Sequence, residues 1–441
     1  MFIGFDKILI AGATLYRKAQ RISMVRVLVV LPFYGGSLPV GRFAAEGLKE
    51  AGCLVEVFEA PSFFPAYNAF KELRVSSNRL DSLQHNFLQL VSQAVLAKVE
   101  SFAPDLVLCL AQAPLNRMAL RQLRKDGIPT AMWFVEDFRL FTYWKAFAPY
   151  YDLFAVIQKE PFIEELREIG QENALYLPLA ALPSFHRPLD LTPGETREFG
   201  SELSFLGAGY PNRRKAFTQL RLHGLKIWGT EWEDEPRLAP YLQRQGQRIS
   251  SEDAVRIFNA TNVNLNLHSS IHTDQLVSKG DFVNPRTFEV ASCGAFQLVD
   301  ERSLLPELFS RDEMAVFDSL DDLKERIAHF TAHPEERRRM ADRARARVLR
   351  EHTYKHRMQT LLAFAEERLP GFGKRKRVDW PSDMTEEMQT AVTALIKEAG
   401  LPESADFDDL VGAVRGKSDR LSDVETALLF LDEWKKLYSP S

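Results

Sequence analysis

Short apolar runs, each followed by a turn and a helical pattern, govern what this chain can fold into. Val25 to Leu31 is the first of them, all apolar apart from Arg26 and rich in β-branched residues. Such a run suits a strand covered on both faces of a parallel sheet. Tyr34-Gly35-Gly36-Ser37 reads as a loop, Gly41 to Ala51 as a helix ended by Gly52, and Leu54 to Phe58 as the next strand. Strand, glycine loop, helix and strand in order form a βαβ unit, whose crossover is right-handed. Asp105 to Leu110, Pro129 to Val135, Leu153 to Ile157 and Ala174 to Leu177 extend the same sheet.

Pro183 to Gly200 holds Pro183, Pro188, Pro193 and Gly194 without an apolar period, the composition of a linker. A second series follows in Leu203–Leu206, Leu225–Trp228, Val263–Leu267, Phe296–Val299 and Met314–Phe317, with helical patterns between. The prediction is an α/β chain with one parallel-sheet domain over residues 24–185 and another over 200–366. In open sheets of this kind a ligand lies beyond the carboxyl ends of the strands. From Met384 to Leu437 the pattern changes to three short amphipathic helices, a helical appendage over 380–441. Residues 1–23 read as an N-terminal arm, or as a start assigned too far upstream of Met24.

At 441 residues the chain can bury two or three cores, and its 45% hydrophobic and 26% charged content is that of a globular protein. A net charge of −4 gives no footing for nucleic-acid binding. Cys53, Cys109 and Cys293 lie far apart and form no metal-ligand pattern, and Cys109, in an apolar strand-like run, reads as a buried thiol in a reducing compartment. No apolar run is long enough to cross a bilayer, and residues 1–23 lack the charge order of a secretory signal. The expected location is the cytoplasm. The basic run Lys374 to Arg377 reads as a solvated linker, with contact to a membrane surface as the minority reading.

The segment Phe282 to Asp300 carries most of the chemistry. Arg286 and Glu289 are three apart and share a face if the segment is helical. Asp281 stands eight positions before Glu289, about two turns of continuous helix. Carboxylates so placed could hold sugar hydroxyls with one and a ribose diol with the other. The turn Gly207 to Arg214 follows a strand and opens a helix. Its Gly207 and Gly209 allow close backbone approach, and Arg213, Arg214 or Lys215 could pair with phosphate.

Four segments in order, Phe205–Arg214, Asn264–His268, Phe282–Asp300 and His352–Arg357, resemble the donor half of GT-B glycosyltransferases, in particular the CgeB-like branch. The resemblance covers roughly residues 200–365 and more weakly the first half. It implies two Rossmann-like domains facing a cleft, with a nucleotide sugar, expected to be a nucleoside diphosphate sugar, on the second and the acceptor, a glycan or protein, on the first. By this resemblance Glu289 would bind the ribose, Arg286 and Lys279 would lie near the phosphates, and Asp281 would face the donor sugar, where many relatives have glutamate. Asn284 and Thr287, at the helix start, complete the expected donor set with Gly207, Gly209, Arg213 and Arg214. Gly35, Gly36 and Ser37 would line the acceptor side of the cleft.

Catalytic candidates are Asp137, Glu136 and His268, all at strand ends; Asp137 is the first choice for a base that takes the acceptor proton. Phe63, Phe64, Tyr67 and Phe70 could stack on a sugar or fill the core. His352, Tyr354 and His356 are expected to tie the last helix back across the domains. With no Asp-x-Asp at a strand end, the expectation is no metal and no cofactor beyond the donor substrate. Two alternatives remain open: a sugar-nucleotide epimerase or hydrolase on the same architecture, and a non-catalytic nucleotide- or sugar-binding scaffold. Self-association through the C-terminal helices also stays open.

Overall fold

A computed structural model describes residues 24–220, 222–278, 280–373, 384–403, 405–417 and 419–438. Residues 1–23, Lys279 and the basic run at 374–377 lie outside the described residues. The first sheet is built from β1 (Arg26–Val30), β2 (Leu54–Phe58), β3 (Leu106–Leu110), β4 (Thr130–Phe134), β5 (Leu153–Val156) and β6 (Ala174–Tyr176). Its main helices are α1 (Ser37–Glu50), α2 (Ser77–Phe102), α3 (Arg117–Lys125) and α4 (Phe162–Glu168). The strand order is β2-β1-β3-β4-β5-β6, parallel throughout. Every residue of β1, β3, β4 and β5 is buried, as strands with helices on both faces must be.

The segment expected to be a bare linker contains a helix, α5 (Pro193–Phe199). Thr192 and Glu195 close a capping box at its start, and Phe199 is buried at its end. The second sheet follows, with β7 (Ser201–Leu206), α6 (Pro211–Leu220), β8 (Leu225–Trp228), α7 (Ser251–Ala260), β9 (Thr261–Asn266), α8 (Pro285–Ser292), β10 (Gln297–Asp300) and β11 (Ala315–Phe317). Its order is β11-β10-β9-β7-β8, again parallel. The direction of winding reverses between β1 and β3 in the first sheet and between β7 and β9 in the second. In open sheets of this kind those two places, beyond the strand ends, are where a ligand crevice is expected.

Helices α9 (Leu320–Ala332) and α10 (Pro334–Glu351) complete the second half, and α11 (Tyr354–Arg368) crosses back onto the first. The crossing needs Gly47 of α1, where a Cβ would lie 2.6 Å from the Tyr354 backbone. The residues between the sheets are stitched to the same corner: the Ala181 N–H donates to the His352 carbonyl and the Tyr354 N–H to the Ala181 carbonyl. Arg357 donates to the carbonyls of Pro178 and Leu179, and His352 Nε2 meets the Leu308 carbonyl. One apolar cluster therefore runs from Val27 and Trp133 through Tyr354 to Phe288 and Val299, joining both halves. The tail forms α12 (Glu386–Glu398), α13 (Phe407–Arg415) and α14 (Asp423–Tyr438), with Gly412 of α13 against Arg26 and Leu54 at the edge of the first sheet.

Candidate active site

The loop after β7 and the loop after β9 flank the second crevice and are tied together by two side chains of α6. Asn212 Nδ2 donates to the carbonyls of His268 and Leu276 at 3.0 and 3.1 Å, and its Oδ1 accepts the Ser270 N–H at 2.8 Å. Arg213 donates through Nε to the Leu267 carbonyl and through Nη1 to the Ala208 carbonyl, both at 2.9 Å. Its guanidinium is thus fixed at the switch point and buried. Gly209 is required for a different reason from the one the sequence suggested: a Cβ there would sit 2.1 Å from the Glu231 carbonyl oxygen. Gly207 is crowded by Phe205 and Arg213, and its carbonyl accepts the Trp232 indole N–H at 3.1 Å. Arg214, counted among the phosphate ligands, instead reaches the Glu231 carbonyl and pairs with Asp234 at 3.3 Å.

Helix α8 begins at Asn284, whose Oδ1 accepts the Thr287 N–H at 3.2 Å. Pro285 at the first position is preset for the helix. Asn284 and Thr287 are both buried and spend their side chains on each other and on Asn266, so they shape the site from behind. His268 does the same. The Asn284 N–H donates to His268 Nε2 at 2.9 Å, so the ring proton is on Nδ1, facing Asp300 Oδ1 at 2.5 Å. Burial pulls His268 down to about 4 despite the attraction of Asp300. Burial by itself would raise Asp300, yet His268 and Arg302 hold it below the usual carboxylate value. With both nitrogens engaged and the ring fully buried, His268 positions the start of α8 and is not a group that meets substrate.

Arg286 and Glu289 lie one turn apart on α8 and face inward together. The helix begins only at Pro285, so Asp281 precedes it in a loop; the two-turn spacing expected for Asp281 and Glu289 is not one continuous helix. Arg286 Nε is buried without a hydrogen-bond partner among the described residues. Burial lowers the pKa of Arg286, opposed by Glu289, and raises that of Glu289, opposed by Arg286. Arg213 is lowered by burial and then by repulsion from Arg286, so the two guanidinium groups lie within range of each other's charge. Neither makes an ion pair within 4.0 Å among the described residues.

His186 completes this corner and was not singled out in the sequence. Its Nδ1 accepts the Leu182 N–H at 3.1 Å, leaving the proton on Nε2, 3.9 Å from Glu289 Oε1. Burial takes it down to about 3, and the rings of Phe43 and Phe185 enclose it. Phe43 and Phe185 also wall a hollow of about 800 Å³ between the two halves, together with Arg42, Glu46, Arg248 and Ser250.

Across the cleft, Glu136 accepts from Tyr143 Oη at 2.9 Å and from Gln112 Nε2. Burial raises its pKa, with those two hydrogen bonds opposing the rise. Tyr210, on the loop after β7, lies close enough to feel its charge. Asp137 accepts the Arg139 N–H at 3.0 Å within its own turn. Asp281 accepts from Gln158 Nε2 at 2.7 Å and lies 3.7 Å from Arg139, so residues of both halves meet on it.

The Gly35 carbonyl accepts from Arg248 at 2.9 Å, and Gly35 itself has φ +99°, which favours glycine. Gly36 borders open space. Ser37, expected to line the cleft, is buried and donates to the Ala111 carbonyl at 3.1 Å. Phe63, Phe64 and Tyr67 are half-buried at the rim of the first core, against Phe58, Phe33 and Phe87, and Phe70 meets Phe87 edge-on. Potential metal ligands His329, His333 and Glu336 gather at the surface where α9 meets α10, away from the strand ends. No helix among the described residues is long and apolar enough to cross a membrane.

Comparison with known proteins agrees with this geometry. Residues 213–363, which hold Arg213, Arg286 and Glu289, match the family described as glycosyl transferase-like. The spore protein CgeB of Bacillus subtilis is 27% identical over 268 residues, spanning 56% of this chain and 78% of that protein. Sucrose-phosphate synthase from Thermosynechococcus elongatus superposes with a TM-score of 0.54 at 12% identity, over 78% of this chain and 98% of that one. The Anabaena HepE structure in complex with UDP and glucose gives 0.53 at 10% identity, over 78% and 100%. The chain has the GT-B fold, its residues 213–363 match the glycosyl transferase-like family, and it is similar to the spore protein CgeB.

Proposed function

We propose that the protein transfers a sugar from a nucleoside diphosphate sugar to an acceptor hydroxyl. The observation that carries this reading is Arg286, whose Nε is buried without a hydrogen-bond partner among the described residues, within reach of the charge of the buried Arg213. Like charges partly withdrawn from water cost stability, and a diphosphate bound to both would offset burial and repulsion. Departure of the sugar leaves negative charge on that diphosphate. Cations fixed before the reaction lower the barrier most where charge develops. In this reading Glu289, oriented by His186, holds the ribose diol, and Asp281 takes a hydroxyl of the donor sugar.

Glu136 is the base we assign, in place of Asp137. Its raised pKa brings a carboxylate closer to the basicity that proton transfer needs, and Tyr143 and Gln112 fix its direction. Asp137 spends an oxygen on its own turn. The arginines fill the part a divalent ion would otherwise play, so we expect activity without added metal. The free thiols Cys53, Cys109 and Cys293 suit a cytoplasmic setting. A kindred fold with UDP and glucose bound, that of HepE, supports a uridine nucleotide as the first donor to try.

The test is release of nucleoside diphosphate from a panel of nucleotide sugars, with and without glycan or protein acceptors. Release that depends on acceptor is the expected result. Release or isomerisation without acceptor would replace the transferase by a hydrolase or epimerase, and binding without turnover would leave a scaffold.

A further inference from the structure

We infer that Gln158 is a positioning residue that couples the two halves of the site, clamping the Asp281 carboxylate to the loop that carries Glu136; the inference rests on the donor site proposed above. Gln158 follows β5 and is fully buried. Its Oε1 accepts the Phe138 N–H at 3.1 Å, and its Nε2 donates to Asp281 Oδ1 at 2.7 Å. A flipped amide would set N–H against N–H and carbonyl against carboxylate, so the orientation follows from the partners. One rigid amide plane therefore joins the residues just after Glu136 to a carboxylate that arrives from the other sheet.

Satisfying the Phe138 N–H alone needs no second bond across the molecule. The Asp281 loop is already fixed within its own half. Arg302 donates to the carbonyls of Phe282 and Ser278 at 3.1 and 3.0 Å, and Asp281 Oδ1 also accepts the Phe282 N–H. Arg302 packs so closely over Gly280 that a Cβ there would lie 1.9 Å from Nη2. What Gln158 adds is a connection between two rigid loops. Arg139 adds a weak one at 3.7 Å, half-exposed and screened by solvent. Domain closure that excludes water from the reacting sugar needs such a contact at the point where both halves meet.

Gln158→Glu separates the two bonds. It retains volume and the acceptor for the Phe138 N–H, and it replaces the donor to Asp281 by a second carboxyl. At neutral pH the two carboxylates repel, so transfer should fall about tenfold or more, as for loss of one charge-assisted hydrogen bond. The fraction of donor lost to hydrolysis should rise, while affinity for free nucleoside diphosphate, held by the second half alone, stays unchanged. Lowering the pH towards about 5 should narrow the gap in transfer between Gln158→Glu and the unmodified protein measured at the same pH, because a proton shared between the two facing carboxyls removes their repulsion.

Asp281→Asn in the Gln158→Glu background serves as the second variant: it removes the carboxylate that repels, so the fraction of donor lost to hydrolysis should fall below that of Gln158→Glu alone. Wild-type transfer in Gln158→Glu, or a loss without acid recovery and without added hydrolysis, would overturn the coupling role. Failure of the unmodified protein to bind any nucleoside diphosphate would instead remove the donor site, and the inference with it.

Discussion

The two sheets are wound alike, yet the crevices at their switch points carry opposite charge. The second holds the buried Arg213 and the half-buried Arg286, which make no ion pair among the described residues. The first holds a half-buried carboxyl, Glu136, fixed by neutral Tyr143 and Gln112, with no cation paired to it among the described residues. One architecture thus presents a polyanion site on one wall and a proton acceptor on the other. The strand order alone predicts only that ligands bind there; the side chains decide which.

The comparison breaks most sharply at Glu136. Glu136→Gln should lower the turnover number by about 10²–10⁴, the range of a lost general base, and leave nucleoside diphosphate affinity unchanged. Steady-state kinetics beside calorimetric titration would show it. Arg286→Leu should do the reverse, weakening nucleoside diphosphate binding by roughly 10- to 100-fold through loss of charge-assisted hydrogen bonds worth about 1.5–3 kcal/mol. The same change relieves an unpaired buried charge, so the empty protein should unfold at a higher temperature than the unmodified one.

Acid should also separate the halves. His268 is held to about 4, His352 to about 4 and His186 to about 3, each by burial. The unfolded chain takes up those protons first, so the stability they carry is present above about pH 6.5 and lost as pH falls through about 4. Glu136, raised by burial, has the opposite sign: its contribution is present below the ordinary carboxylate value and lost as pH rises through the folded one. Hydrogen exchange at pH 7 and pH 5 should therefore show protection falling more in β7–β11 than in β1–β6. An equal loss in both sheets would count against the buried neutral histidines.

The smallest expected effect is at the crossing of α1 and α11. Gly47→Ala forces a Cβ against the Tyr354 backbone and should cost about 1–3 kcal/mol in chemical unfolding, as overpacking does. Nucleotide affinity should change little, since Gly47 lies apart from the second crevice.

Much of this was legible in the chain because its signals are local. The strands declared themselves as apolar β-branched runs, and the helical spacing of Arg286 and Glu289 put both on one inward face. The capping box of α5, Thr192 and Glu195, was equally local and could have been read within the linker. What escaped depends on partners far along the chain. Gln158 meets Asp281 across 123 positions, and Asn212 meets His268 across 56. His268 stood at a strand end as a catalytic histidine would, but the N–H of Asn284 occupies the lone pair that catalysis would need. Ser37 and Arg214 turned to backbone carbonyls and, for Arg214, to Asp234; sequence spacing does not encode the direction of a side chain.

The most direct measurement is a thermal-shift titration of the unmodified protein and Glu289→Ala with nucleoside diphosphates. A nucleotide at a hundredfold excess over its dissociation constant should add about 2.7 kcal/mol to the unmodified protein. The account predicts stabilisation by one nucleotide family, reduced or lost in Glu289→Ala. Stabilisation that is equal in both proteins, or absent from both across all bases, would contradict a nucleoside diphosphate site at the second crevice.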